Sequence, residues 1–190
     1  MKQNFKIIIA GGCGFIGSSL ANYFLSKYLK SQIYILDNLM RKGSEINLKR
    51  IHNDRLVFIK GDLSQKSLFN NLPVCDFFID AAADPSVLSG INSSVLNLLN
   101  NNLMSTINAI EWCSKTNCKF LFLSTSRVYP IKNLDKILYI EEETRFTWID
   151  KQDIKGFSKM GINELFDMNG NRSLYGASKF SSELFIREFG

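Results

Sequence analysis

Short apolar runs alternate along the chain with segments whose apolar positions recur every three or four residues. The first run, Phe5–Ala10, is compact and β-branched, as expected of a strand buried on both faces of a sheet. Runs of the same kind over Ile33–Leu36, Leu56–Lys60, Asp76–Ile79 and Lys119–Leu123 predict four further strands. Between them, Phe15–Lys30 places Ile16, Leu20, Tyr23, Phe24 and Leu29 near helical spacing, and Glu45–Ile51 predicts a short helix. Ser64 stands where it would cap a helix running through Asn71. Residues 87–116 contain a long helix with Leu96, Leu99, Leu103, Ile107 and Ile110 as its buried stripe, and Ser173–Phe189 closes the chain as another.

Strands alternating with helices predict an α/β fold, a doubly wound parallel sheet of Rossmann type covered on both faces. The region from Pro130 to Arg172 breaks the alternation: it is long, polar, carries Glu141-Glu142-Glu143 and shows no convincing element. A loop of that length inside a compact domain is usually functional or mobile.

At 190 residues, with 45% hydrophobic positions, the chain has enough apolar side chains for a real core and fits one domain over 1–190. The net charge of +5 is spread without a basic block, so nucleic acid is not implied. Cys13, Cys75, Cys113 and Cys118 show no paired C-x-x-C spacing, and His52 is the single histidine, so no metal is expected; the cysteines read as reduced, partly buried thiols. Neither a signal peptide nor a run of the roughly 18 apolar residues needed to span a membrane is found, and the expectation is a cytoplasmic protein that does not engage a membrane.

Chemistry concentrates at the carboxyl ends of the predicted strands. The first runs into Gly11-Gly12-Cys13-Gly14-Phe15-Ile16-Gly17. Glycine is needed there for a tight turn, for close approach of a pyrophosphate to the backbone, and for a helix N-terminus that offers free N–H groups, with Gly17 letting the helix pack on the strand. Twenty residues after Gly17, Asp37 ends the second strand, where a carboxylate accepts from the adenosine ribose and repels the 2′-phosphate of NADP. Arg41 and Lys42 nearby soften that discrimination. Gly61-Asp62 ends the third strand; Asp62 fits an adenine amino acceptor and a cap-adjacent turn residue equally. Ala81-Ala82-Ala83 follows the fourth strand with small side chains, and Ser124-Thr125-Ser126-Arg127 follows the fifth.

The last helix carries Tyr175 and Lys179 four residues apart, hence on one face. A phenol is a poor base at its ordinary pKa of about 10. A neighbouring ammonium favours the phenolate. Tyr175 would then take a proton from a substrate hydroxyl that Thr125 holds. Taken singly, a tyrosine beside a solvated lysine is common; the order of the four motifs is what carries the reading.

That order resembles the extended short-chain dehydrogenase/reductase family of NAD-dependent nucleotide-sugar epimerases and dehydratases. The resemblance implies NAD as cofactor and Thr125, Tyr175 and Lys179 as the catalytic triad. It implies a cofactor site of Gly11, Gly14, Phe15, Ile16, Gly17, Asp37, Asn38, Asp62, Leu63, Ala81, Ala82 and Ala83 together with Tyr175 and Lys179, and gives Asn102 a structural role. Stretches at Asp37–Gly43, Ala82–Val87 and from Glu143-Thr144-Arg145-Phe146 through Ser173–Lys179 are similar to the subgroup that inverts C2 of CDP-linked sugars, as is the insert before Tyr175. The implied reaction is a transient oxidation of a sugar carbinol followed by reduction from the opposite face. A dehydratase of the family would carry an acid pair after Thr125, where Ser126 and Arg127 stand.

Two positions depart from the family pattern, Pro130 where glycine is usual and Asp80 where histidine is common. Family members also run on past this point into a small nucleotide-sugar domain. The expectation is therefore a chain holding the cofactor half and catalytic residues but lacking that domain, weakly active or inactive alone, the remainder being either a separate complementing fragment or cut off by truncation. A non-catalytic NAD-binding domain is the alternative. Leu184, Phe185 and Phe189 are expected to be partly uncovered, and a homodimer is the default assembly.

Overall fold

The computed structural model describes residues 4–91 and 93–190; Met1–Gln3, ahead of the first predicted strand, and Asn92, within the predicted 87–116 helix, fall outside the described residues. Five parallel strands, β1 (Lys6–Ala10), β2 (Gln32–Asp37), β3 (Leu56–Lys60), β4 (Phe77–Asp80) and β5 (Lys119–Phe122), form one sheet in the order β3-β2-β1-β4-β5. The chain winds outward from β1 first on one side and then on the other. The strand order therefore reverses between β1 and β4, and the crevice of such a sheet opens there, beyond the carboxyl ends.

Alternation along the strands divides the core in two. Ile8, Ala10, Leu36 and Phe78 meet Ala109, Trp112 and Cys113 on one face. Ile7, Ile9, Ile33, Ile35 and Ile79 meet Ala21 and Leu25 on the other. Each fully buried aliphatic side chain of this kind contributes about 1.5–3 kcal/mol. The helices responsible are α1 (Phe15–Lys27), over the second face, and α4 (Ser105–Thr116), over the first; the short α2 (Ser44–Arg50) follows β2. All four cysteines are buried free thiols.

Several predicted elements are corrected. The first helix ends at Lys27 rather than Lys30, and the segment ahead of β4 is a 3-10 helix, Lys66–Asn71, whose cap position is Gln65 and not Ser64. The long helix begins only at Val95, because 86–91 forms turns and Gly90 takes a left-handed φ of +86°. It then runs as α3 (Val95–Leu99), a π-helical turn (Asn100–Met104) and α4. The 130–172 region is not without elements. It holds the short helix α5 (Ile131–Leu134) and two small antiparallel hairpins, β6 (Tyr139–Glu141) with β7 (Phe146–Trp148) and β8 (Phe157–Ser158) with β9 (Gly161–Ile162). Aromatic pairs, Tyr139 on Phe146 and Trp148 on Phe157, hold them in place of a core. The closing helix α6 (Leu174–Phe189) starts from Ser173, whose hydroxyl accepts the Gly176 N–H at 3.0 Å; Leu184, Phe185 and Phe189 are half-exposed on it.

Candidate active site

A cleft of about 600 Å³ opens at the switch point and is lined by Gly11, Gly14, Asp37, Asn38, Gly61, Asp62, Leu63 and Ala81–Ala83. Ends of four strands thus converge on one space. Gly11 has φ +67°, and a Cβ there would come within 2.7 Å of the Ala81 carbonyl oxygen, so the turn after β1 touches the turn after β4 directly. A Cβ on Gly17 would strike the Gly11 carbonyl oxygen, which fixes the start of α1 against the same turn. The cap position Gly14 offers no side-chain acceptor, and no acidic residue lies in the first turn. Phe15 and Ile16 are exposed. A glycine cradle that side chains would fill, below an uncapped helix N-terminus, fits a pyrophosphate.

Asp37 sits at the rim with both oxygens engaged by backbone. Oδ2 accepts from the Cys13 N–H at 3.0 Å, and Oδ1 from the Leu39 N–H at 2.8 Å, where φ is +58°. Each carboxylate oxygen keeps a further lone pair for a ribose hydroxyl. Burial, and then the Asp37 charge, pushes the Cys13 thiol up to about 12. Asp62 turns its Oδ1 to the Ser64 N–H at 2.9 Å, making it a turn residue that also borders the cleft.

Thr125, Tyr175 and Lys179 lie outside the residues lining the cleft. Thr125 caps the 3-10 turn Ser126–Val128 and accepts the Arg127 N–H at 3.2 Å. A Cβ on Gly176 would strike the Arg127 carbonyl oxygen, so the first turn of α6 is seated on that 3-10 turn and brings the Tyr175 segment to the Thr125 segment. Ser126 and Arg127 are exposed and no carboxylate occupies the turn. Tyr175 is 8% exposed and Lys179 only 1%. Burial lowers the Lys179 ammonium to about 8, against the attraction of Asp80 and then Glu183. Ser124 hydrogen-bonds the Glu183 carboxylate.

Asn102, in the π-helical turn, ties these parts together. Its Oδ1 accepts the Asp84 N–H at 2.8 Å, and its Nδ2 donates to the Asp84 carbonyl and to Ser178 Oγ, both at 3.2 Å. Asp84, Pro85 and Ser86 also wall the cleft, within the Ala82–Val87 stretch that the resemblance marked but that was not assigned to the site; Ser44, Asn101 and Ser105 line it too, and nothing in their residue types marks them.

The chain matches the NAD dependent epimerase/dehydratase family over residues 7–190. It is 29% identical to the CDP-paratose 2-epimerase of Salmonella typhi over 97% of this chain and 52% of that protein. It is 33% identical to the dTDP-D-glucose 4,6-dehydratase of Dictyostelium discoideum over 65% of this chain and 30% of the relative. The UDP-N-acetylglucosamine 4-epimerase of Methanobrevibacter ruminantium, solved with UDP-N-acetylmuramic acid, superposes with a TM-score of 0.73 at 26% identity, covering 98% of this chain and 50% of that one. The chain thus spans about half the length of the epimerases it matches.

Proposed function

The chain belongs to the NAD-dependent epimerase/dehydratase family, and on that premise we propose that it binds NAD and takes part in epimerising a nucleotide-linked sugar, with a CDP-linked sugar inverted at C2 as the substrate class. The observation that carries this reading is the cleft at the sheet's switch point, where the glycine turn, Asp37, Asp62 and Ala81–Ala83 converge. Similarity to a CDP-paratose 2-epimerase over nearly the whole chain supports the substrate class.

In this reading the backbone of Gly11, Gly14, Phe15, Ile16 and Gly17 would hold the pyrophosphate, and Asp37 with Asn38 the adenosine ribose. Asp62 and Leu63 would border the adenine, Ala81–Ala83 the path between the two ends, and Tyr175 with Lys179 the nicotinamide ribose. Bound there, NAD supplies a reversible hydride acceptor for a carbinol carbon of the sugar. Thr125, whose Oγ1 already accepts the Arg127 N–H, keeps its own hydroxyl proton to donate to the sugar oxygen. Tyr175 removes the proton of that sugar hydroxyl and returns it at the close of the cycle. Lys179, one turn further along α6, offsets the negative charge the phenol oxygen acquires.

The dehydratase reading draws on the 33% identity to such an enzyme. It lacks the acid that elimination requires, since Ser126 and Arg127 follow Thr125. Proton NMR of a CDP-linked hexose mixed with stoichiometric protein and NAD in D2O separates the two. The expected result is inversion at C2 with the carbon-bound hydrogen retained. A product that has lost water assigns the dehydratase, and exchange of the C2 hydrogen with solvent overturns the hydride route.

A further inference from the structure

Asp80 is the last residue of β4 and is 1% exposed, an unusual place for a carboxyl group. It pairs with Phe122 in the β4–β5 register, which puts both side chains on one face of the parallel sheet. The Lys179 ammonium lies 3.7 Å from the centroid of the Phe122 ring. A buried cation therefore rests on the aromatic neighbour of a buried acid, one helical turn from Tyr175. Among the described residues Lys179 has no carboxylate within ion-pair distance, so Asp80 acts on it through space at low dielectric.

The hydrogen bonds around Asp80 admit two proton arrangements. Oδ1 accepts the Ala82 N–H at 3.1 Å. Thr106 Oγ1 lies 2.9 Å from Asp80 Oδ2 and 2.9 Å from the Asn102 carbonyl oxygen, and it has one proton for the two. With Asp80 ionised, Thr106 donates to the carboxylate, and the Asn102 carbonyl is within 3.4 Å of the Ser182 hydroxyl, whose one proton it shares with the Ser178 carbonyl at 3.1 Å. With Asp80 protonated, the acid donates to Thr106, which donates to Asn102. Either way both Asp80 oxygens have a partner, so the site tolerates both charge states of the acid.

We infer that Asp80 is a positioning residue, the counter-charge that sets the protonation of Lys179 and so the readiness of the Tyr175–Lys179 pair. Its meaning for catalysis rests on the function proposed above, while the charge relationship does not depend on it: Asp80 lies beside Phe122 in the sheet and the Lys179 ammonium is seated on that ring. The other groups to be reckoned with are Glu183, on α6 itself and bonded to Ser124, and the Cys113 thiol on α4, pushed up first by its hydrogen bond with Cys118 and by burial, with the Asp80 charge adding less. Burial raises the Asp80 carboxyl, opposed by Lys179, Thr106 and the Ala82 N–H.

The test is a pH titration of protein labelled with 13Cε-lysine, the Lys179 resonance being assigned by its loss in Lys179→Met. The wild-type midpoint is expected near 8. Asp80→Asn should lower it by about one unit or more, a tenfold rise in the neutral fraction below the midpoint. Thr106→Val, which removes the hydroxyl that favours the ionised acid together with its bond to the Asn102 carbonyl, should lower it by less. Glu183→Gln should act more weakly than Asp80→Asn. If Asp80→Asn does not give a dispersed amide spectrum, Thr106→Val decides. An unmoved or raised midpoint in the folded variants overturns the inference. NAD titration of the same samples reports on the proposed function independently: a moving midpoint without NAD binding would leave the Asp80–Lys179 relation standing and remove the enzymatic reading.

Discussion

The Asp37 carboxylate accepts the backbone N–H of Cys13 at 3.0 Å, tying the end of β2 to the glycine turn that follows β1. The residue proposed to bind the ribose therefore also shapes the loop proposed to bind the pyrophosphate. Asp37→Ala frees the Cys13 and Leu39 N–H groups together. A loss of about 1–3 kcal/mol in urea unfolding is expected. NAD affinity should fall at least tenfold, about 1.4 kcal/mol, in calorimetry. A variant that binds NAD as tightly as the wild type contradicts the ribose role.

Two glycines separate space from strain. Gly17→Ala drives a Cβ into the Gly11 carbonyl and should abolish NAD binding, with an overpacking cost of about 1–3 kcal/mol. Gly43 has φ +94° with nothing within 4 Å of an added Cβ. Gly43→Ala should therefore cost only the backbone strain, about 1 kcal/mol, and leave NAD affinity unchanged. Equal effects of the two on binding would contradict the cradle.

Lys179 is a net burden on the fold. Burial outweighs the attraction of Asp80 and Glu183, so the folded-state value of about 8 lies below the ordinary 10.5. Below pH 8 the ammonium carries its full penalty. Between about 8 and 10.5 the folded protein releases the proton while the unfolded chain still holds it, and stability contributed by this group rises with pH. The full span is about 3 kcal/mol. Lys179→Met should be more stable than the wild type by about 1–3 kcal/mol at pH 7, with the advantage gone by about pH 10.5. Urea midpoints across pH check this, and a Met variant no more stable at pH 7 contradicts it.

Asn102→Ala removes the bonds that join Asp84 to α6. Leaving those buried partners unmet should cost about 2–4 kcal/mol. Because Asp84–Ser86 wall the cleft, amide hydrogen exchange should rise at Asp84 and Ser86 and NAD affinity should weaken. Unchanged exchange there would show that the loop holds itself.

All five strands were legible in the sequence to within a residue or so, because each is a short unbroken apolar run; the edge strands β3 and β5 keep that run although Val57 and Leu121 are exposed. The glycine turn and Asp37 were legible for a related reason, since the geometry admits few other residues. The π-helical turn was not, because Leu96, Leu99, Leu103, Ile107 and Ile110 keep their spacing straight through it. The small hairpins at 139–162 were hidden because paired aromatic rings on a half-exposed surface leave no clean alternation. Asp80 stood out in the sequence only as a departure from the family pattern, one residue past the expected strand; its burial follows from α4 and α6 closing over it, a long-range fact that no local pattern carries.

Isothermal titration of the 190-residue protein with NAD and, separately, with NADP tests the central claim most directly. Saturable one-to-one binding of NAD, with NADP at least about tenfold weaker because Asp37 opposes the 2′-phosphate, is the expected result. No heat of binding for either dinucleotide, from protein shown to be folded, would contradict it.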